Sequence, residues 1–197
     1  MEAIKKIVII GPESTGKSTL CSLLAEHYKT SWVPEYAREY LLENGIGYSY
    51  DDLLKIAKGQ IALEEAAECK LSGIGDLLPG TIHRTSHIVH HPSSPLLFID
   101  TDMQVMKVWC EYVFNNCHSW ILNRIAERKY DGYLLCNPDL DWVADDLREY
   151  PDNVIREKLY CYYKDIMSNQ SVPCIDITGN YNERLQKAIN FIDEKIR

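Results

Sequence analysis

Positive charge is in short supply in this chain. Its 197 residues carry 21 Lys and Arg against 29 Asp and Glu, a net charge of −8, with no polybasic run. That balance argues against a general nucleic-acid surface, which needs a broad positive face to neutralise phosphates. No apolar stretch approaches the roughly 20 residues of a membrane span. The apolar run near the N-terminus, "IVII" at 7–10, is four residues long and feeds a glycine-rich loop rather than a cleavage site, so it does not read as a signal peptide. The seven cysteines are odd in number and include no C-x-x-C pair. They read as reduced thiols of a cytoplasmic protein, several of them buried, and not as a disulfide framework or zinc cluster. No internal repeat and no shift in composition marks a boundary, so residues 1–197 are expected to form a single domain. The oligomeric state is left open, a homo-oligomer included.

What is present is a regular alternation. Apolar runs predict strands at 5–10, 31–36, 95–100, 132–137 and 172–178. Helical periodicity fills the intervals at 16–29, 37–44, 49–70, 103–114, 119–129 and 153–170, and a last helix covers 182–196. Ser49 or Asp51 is the expected N-cap of the third helix. Five strands separated by helices predict an α/β fold, a five-stranded parallel sheet with helices on both faces. One segment breaks the pattern: residues 72–95, rich in Gly, Pro, Ser and His, read as a flexible surface insertion. Its His83, His87, His90 and His91 have no carboxylate or cysteine among them, which makes a metal site the weaker reading.

The stretch "GPESTGKST" satisfies G-x-x-x-x-G-K-[ST] at Gly11, Gly16, Lys17 and Ser18, between a predicted strand and a predicted helix. The spacing has a physical reason. Glycines let backbone N–H groups of the loop, Ser14, Thr15 and Thr19 included, close around phosphates, and the helix N-terminus adds partial positive charge. Lys17 would reach the β- and γ-phosphates and the Ser18 hydroxyl would bind Mg²⁺. Glu13 is a poor phosphate contact and is expected to point away from the ligand or towards Mg²⁺-bound water. A carboxylate at the end of a neighbouring strand should complete the Mg²⁺ shell. "LLFID" supplies Asp100, and Asp102 follows it.

Two further segments carry candidates. In "EYARE" (35–39), Glu35 and Arg38 either face a phosphoryl acceptor or form an exposed i, i+3 salt pair. Residues 137–157 hold Asp139, Asp141, Asp145 and Asp146 together with Arg148 and Arg156. They form either a solvated charged helix or a lid that brings an arginine to the transferring group.

Taken in order, "GPESTGKST", "PEYAREYL", "FIDTD", "DWVADDLREYP" and "GNYNERLQKA" resemble the ribosylnicotinamide kinase domain of NadR-type proteins, an AAA-like P-loop family. The resemblance covers nearly the whole chain apart from 72–95, and it implies a stand-alone kinase-like domain. It implies a nucleoside-kinase-like fold and transfer of the ATP γ-phosphoryl to the 5′-hydroxyl of nicotinamide riboside in NAD salvage. It also implies that Gly11 to Thr19 bind phosphates, that Trp32, Glu35, Tyr36 and Arg38 lie on the acceptor side, and that Arg148 lies in the lid. The family often has an aromatic residue immediately before its "EY", suited to stacking on a pyridinium ring. Here that position is Pro34, with Trp32 two residues earlier.

A small-molecule kinase is therefore the leading expectation, with ATP and Mg²⁺ as cofactors and a nucleoside as partner. Lys17 and Arg148 would neutralise charge, and Glu35 or Asp102 would orient the acceptor hydroxyl. The alternatives are a nucleotide-switched regulatory module and a slow NTPase acting through a protein or lipid partner. A guanine switch is disfavoured because "NPDLD" at 137–141 lacks the lysine of a base-reading N-K-x-D motif.

Overall fold

The computed structural model of the chain describes residues 3–73 and 95–197. Apart from Ser72, Gly73 and Pro95, the expected insertion lies outside the described residues, and so do its four histidines.

The elements run in chain order as β1 (Lys5–Ile10), α1 (Lys17–Tyr28), β2 (Ser31–Val33), α2 (Tyr36–Asn44), α3 (Tyr50–Leu71) and β3 (Leu96–Asp100). They continue as α4 (Met103–Phe114), α5 (Ser119–Glu127), β4 (Gly132–Cys136), α6 (Asn153–Ser168), β5 (Cys174–Ile177) and α7 (Tyr181–Lys195). The five strands pair in the order β2-β3-β1-β4-β5, and every pairing is parallel. The expected α/β sheet is therefore present, with the phosphate-loop strand β1 at its centre.

Parallel strands covered on both faces read as continuous apolar runs, and β3 and β4 are buried at all five positions. Alternate side chains sort to opposite faces. Ile7 and Ile9 of β1 join Leu20 and Leu24 of α1 and Ala188 and Ile192 of α7. Val8 and Ile10 join Val105 and Val108 of α4 and Leu159 and Tyr163 of α6. A third cluster packs α2, α3, α4 and α5 together through Ala37, Leu53, Ile56, Met106 and Ile121.

Caps fix several helix starts. Ser49 forms a capping box with Asp52, and Asn180 does the same with Glu183. β2 is shorter than the apolar pattern suggests, ending at Val33. The next residue, Pro34, has no N–H to give a ladder, so the chain turns and α2 begins two residues on. Residues 137–152 contain no helix, which removes the charged-helix reading for that stretch.

Candidate active site

The site is built at the carboxyl ends of the strands, where doubly wound sheets hold ligands. Gly11 leaves β1 with φ 144°, and a Cβ there would stand 2.6 Å from the Cys136 carbonyl oxygen, so only glycine lets the loop pass so close to β4. Gly16, at φ 76°, turns the loop into α1. Inside the loop, Thr15 Oγ1 donates to the Pro12 carbonyl at 2.8 Å and Lys17 Nζ donates to the same oxygen at 2.9 Å. Ser14 (φ 56°) and Thr101 (φ 75°) are non-glycine residues in left-handed backbone. Thr101 follows the end of β3, and such outliers persist only where surrounding structure imposes them.

Asp100 closes β3 and is fully buried. Its Oδ2 is buried without a hydrogen-bond partner among the described residues. Burial pushes its carboxyl up to about 6, helped by the charge of Glu35, while Lys17 and the Ser18 and Thr101 hydroxyls pull it down. An unpartnered buried carboxylate oxygen beside a loop hydroxyl is a hard-oxygen donor set that suits Mg²⁺, an ion held by one or two protein oxygens, phosphates and water. Among the described residues, no group of three or more His, Cys, Asp and Glu gathers as a metal cage.

A cavity of about 430 Å³ runs from the phosphate loop to the edge of the sheet. It brings together Gly11 to Thr19, Trp32, Glu35, Arg38, Asp100 and Arg148, so most of the expected site residues share one space. Arg38 does not form the i, i+3 pair with Glu35. Its guanidinium instead reaches Asp145 at 2.8 Å and ties α2 to the segment over the loop.

Two expected site residues are corrected. Asp102 does not line the cavity: its Oδ1 caps α4 through the Gln104 and Val105 N–H groups, and its Oδ2 accepts from the Tyr133 hydroxyl at 2.9 Å. Both of its oxygens are engaged in a fully buried cap, which gives it a structural part, whereas Glu35 does line the cavity. Tyr36 is also absent from the cavity wall, because its ring packs against Gly59 of α3.

Residues 138–152 form a strap across the loop. Ser14 Oγ accepts from the Val143 N–H at 3.0 Å and from Arg148 Nη1 at 3.3 Å, and Arg148 also donates to the Val143 carbonyl. Glu13 Oε2 accepts from the Glu149 and Tyr150 N–H groups at 3.0 and 3.1 Å. Glu13 thus fastens the strap to the loop, which differs from an orientation towards metal-bound water. Burial raises its pKa and the two N–H bonds work the other way.

Several contacts of the site were not legible in the sequence, although the sequence singles out Arg156 and Trp32. Arg156 donates to the carbonyls of Glu13, Ser14 and Leu140 at 3.2 to 3.3 Å. Arg184, 2% exposed, donates to the Thr15 carbonyl at 3.0 Å, the Asn137 carbonyl at 2.9 Å and Asp139. Two arginines from distant helices therefore brace the loop by its oxygens. The same cavity is also lined by Trp32, Trp109, Tyr112, Tyr150 and Tyr163. The one available signal was the spacing of Val105, Val108, Trp109 and Tyr112 on α4, which has the helical period of an ordinary core stripe.

The AAA domain family matches residues 6–184. The trifunctional NAD biosynthesis/regulator protein NadR of Escherichia coli (strain K12) is 24% identical over 97% of this chain. The chain spans 42% of that protein's length. Among solved structures, NadR protein in complex with NR superposes with a TM-score of 0.72 at 19% identity, over 97% of this chain and 49% of that one. Deoxyadenosine kinase from M. mycoides with bound dATP superposes at 0.55 and 14% identity, over 96% of this chain and all of the other. These likenesses show a P-loop fold of the nucleoside-kinase type. The match over residues 6–184 establishes the family: the chain belongs to the AAA domain proteins.

Proposed function

We propose that this chain is an ATP-dependent nucleoside kinase of the NadR type, acting on the 5′-hydroxyl of nicotinamide riboside in NAD salvage. The observation that carries the reading is one cavity lined by the phosphate loop, by Glu35 and by the rings of Trp32, Trp109, Tyr112 and Tyr163. A triphosphate on the loop and a flat ring among Trp32, Trp109, Tyr112 and Tyr163 would meet near Glu35. A cationic pyridinium gains from aromatic faces and a nearby carboxylate. The length and identity of the NadR match support the same substrate class.

Phosphoryl transfer asks the protein mainly for positioning and charge. Glu35 accepts the proton of the attacking hydroxyl. Lys17 leaves the Pro12 carbonyl for the phosphates, and Arg148, already at Ser14, meets the charge that develops on the transferring group. Asp100 and Ser18 would hold Mg²⁺, which when bound neutralises phosphate charge. The strap excludes water from the transfer. A cytoplasmic setting is part of this proposal and rests on the sequence reading of the cysteines; no helix among the described residues is long and apolar enough to cross a membrane.

The test is a screen of the purified protein with Mg·ATP against a panel of nucleosides. ADP release should rise sharply with nicotinamide riboside and yield its 5′-phosphate, and Lys17→Ala should abolish it. Turnover with a different nucleoside alone would replace the substrate and keep the class. Turnover indifferent to every nucleoside would refute the kinase reading.

A further inference from the structure

Gly59 lies well inside α3, where glycine costs about 0.5–1 kcal/mol relative to alanine. Space explains it: a methyl at 59 would collide with the Tyr36 ring. The next residue, Gln60, is 1% exposed, and both ends of its amide are engaged. Its Oε1 accepts from the Tyr36 N–H at 2.8 Å, and its Nε2 donates to the Asp100 carbonyl at 3.4 Å.

The Tyr36 N–H is one of the orphan donors at the start of α2. N-cap side chains serve the N–H groups two or three residues on, as Ser49, Asp102, Asp152 and Asn180 do in this fold, and leave the first donor to other partners. Glu35, the N-cap of α2, makes no such bond. Gln60 reaches in from another helix and satisfies the Tyr36 donor, the N–H of the peptide bond that follows Glu35, while the uncapped Glu35 lines the cavity. Through its other end the same amide holds the last carbonyl of β3, on the residue that carries the Asp100 carboxylate.

We propose that Gln60, seated by Gly59 against Tyr36, is a positioning residue for phosphoryl transfer, fixing the Glu35 carboxylate at a set place relative to Asp100. It touches neither nucleotide nor acceptor. Its effect is on where the proton acceptor stands with respect to the phosphate-binding end of the cavity. The inference rests on Glu35 serving as that acceptor.

The experiment uses the full chain with Mg·ATP and nicotinamide riboside, measuring transfer to the nucleoside and, without nucleoside, hydrolysis to water. Three variants are compared: Gln60→Met, which keeps volume and removes both hydrogen bonds; Gly59→Ala, which displaces Tyr36 alone; and Glu35→Gln. Affinity for a non-hydrolysable ATP analogue, taken first, certifies that the loop is folded. Gln60→Met and Gly59→Ala should lower kcat for transfer by about ten- to a hundredfold, the scale of an ångström of misplacement. KM for ATP and the slow hydrolysis to water should stay near wild type, so the ratio of transfer to hydrolysis collapses. If Gln60→Met does not fold, Gly59→Ala carries the same comparison. Unchanged kcat in a folded variant, or equal loss of transfer and hydrolysis, overturns the positioning role. If Glu35→Gln is crippled while Gln60→Met and Gly59→Ala are not, this inference alone falls. If Glu35→Gln transfers normally, the assignment of Glu35 as proton acceptor falls and the inference goes with it.

Discussion

Glu64 on α3 is fully buried, 3.0 Å from the Arg128 guanidinium and 3.1 Å from the Tyr130 hydroxyl, with Oε1 unpartnered among the described residues. Burial pushes its carboxyl up to about 7 despite Arg128, from an ordinary value near 4.5. Between those two values the folded chain keeps a proton that the unfolded chain has released. Stability from this group is therefore present at the acid end and declines as pH rises through the window. Glu64→Gln, uncharged throughout, should gain in Tm relative to wild type as pH climbs from about 4.5 to 7. A Tm difference that stays flat across that range would count against it. The group illustrates what single residues hide. "EEAAE" on a helix reads as a solvated charged stretch, and only Arg128 and Tyr130, more than sixty positions away, turn one of those acids inward. Asp102 was opaque for the same reason, because its partner Tyr133 stands on β4, 31 residues on.

The strap is the element whose order depends most on side chains reaching it from elsewhere. It has no helix or ladder of its own, and is held by Glu13, Ser14, Arg38 and Arg156. Arg156→Ala would orphan three carbonyls at once, two of them in the phosphate loop. Each unsatisfied group costs on the order of 1–3 kcal/mol where water does not replace the donor. The expected outcome is a Tm lower by several degrees, together with nucleotide affinity weakened by roughly tenfold or more, the equivalent of 1.4 kcal/mol. Calorimetric titration with a non-hydrolysable ATP analogue measures the second effect, and unaltered affinity would show that the strap's fastening does not shape the loop. Regular elements were legible because hydrophobic period distinguishes strand from helix, and the "IVII" and "LLFID" runs could only be strands of a covered sheet. The phosphate loop was legible because its backbone geometry demands glycines at fixed offsets. The strap was legible only as a candidate lid carrying Arg148 and Arg156. Its fastening was not, since bonds from side chains to backbone across more than 100 residues leave no period, and Arg184 sits in a helix that looks like any other.

On the scale of the molecule, the sheet order places the loop between β3 and β4, so the halves of the cavity come from opposite directions of the chain. The strap joins those halves. Trp109 Nε1, in the aromatic wall, donates to the Tyr48 hydroxyl at 2.9 Å, and Tyr48 donates to Glu149 Oε2 at 2.9 Å. The Glu149 N–H then donates to Glu13 in the loop. Nucleoside and nucleotide should accordingly strengthen each other's binding by the same factor. Tyr48→Phe removes one hydroxyl from the chain of bonds and should abolish most of that factor while leaving either ligand's separate affinity near wild type. Titrating the ATP analogue with and without nicotinamide riboside reads it directly, and a factor unchanged in the variant would place the coupling elsewhere. A last consequence follows from the close passage of Gly11 over β4. Beneath it Cys136 is sealed, and Cys21 of α1 is equally inaccessible, whereas Cys69 and Cys161 are exposed. Cys117 and Cys174 are half-buried and Cys110 is sealed in the α2–α5 cluster. A thiol-modifying reagent therefore meets Cys69 and Cys161 at once, but meets Cys21 and Cys136 only when the sheet parts from its loop. The native cysteines are in effect a clock for the breathing of the nucleotide site, and that clock needs no engineered label.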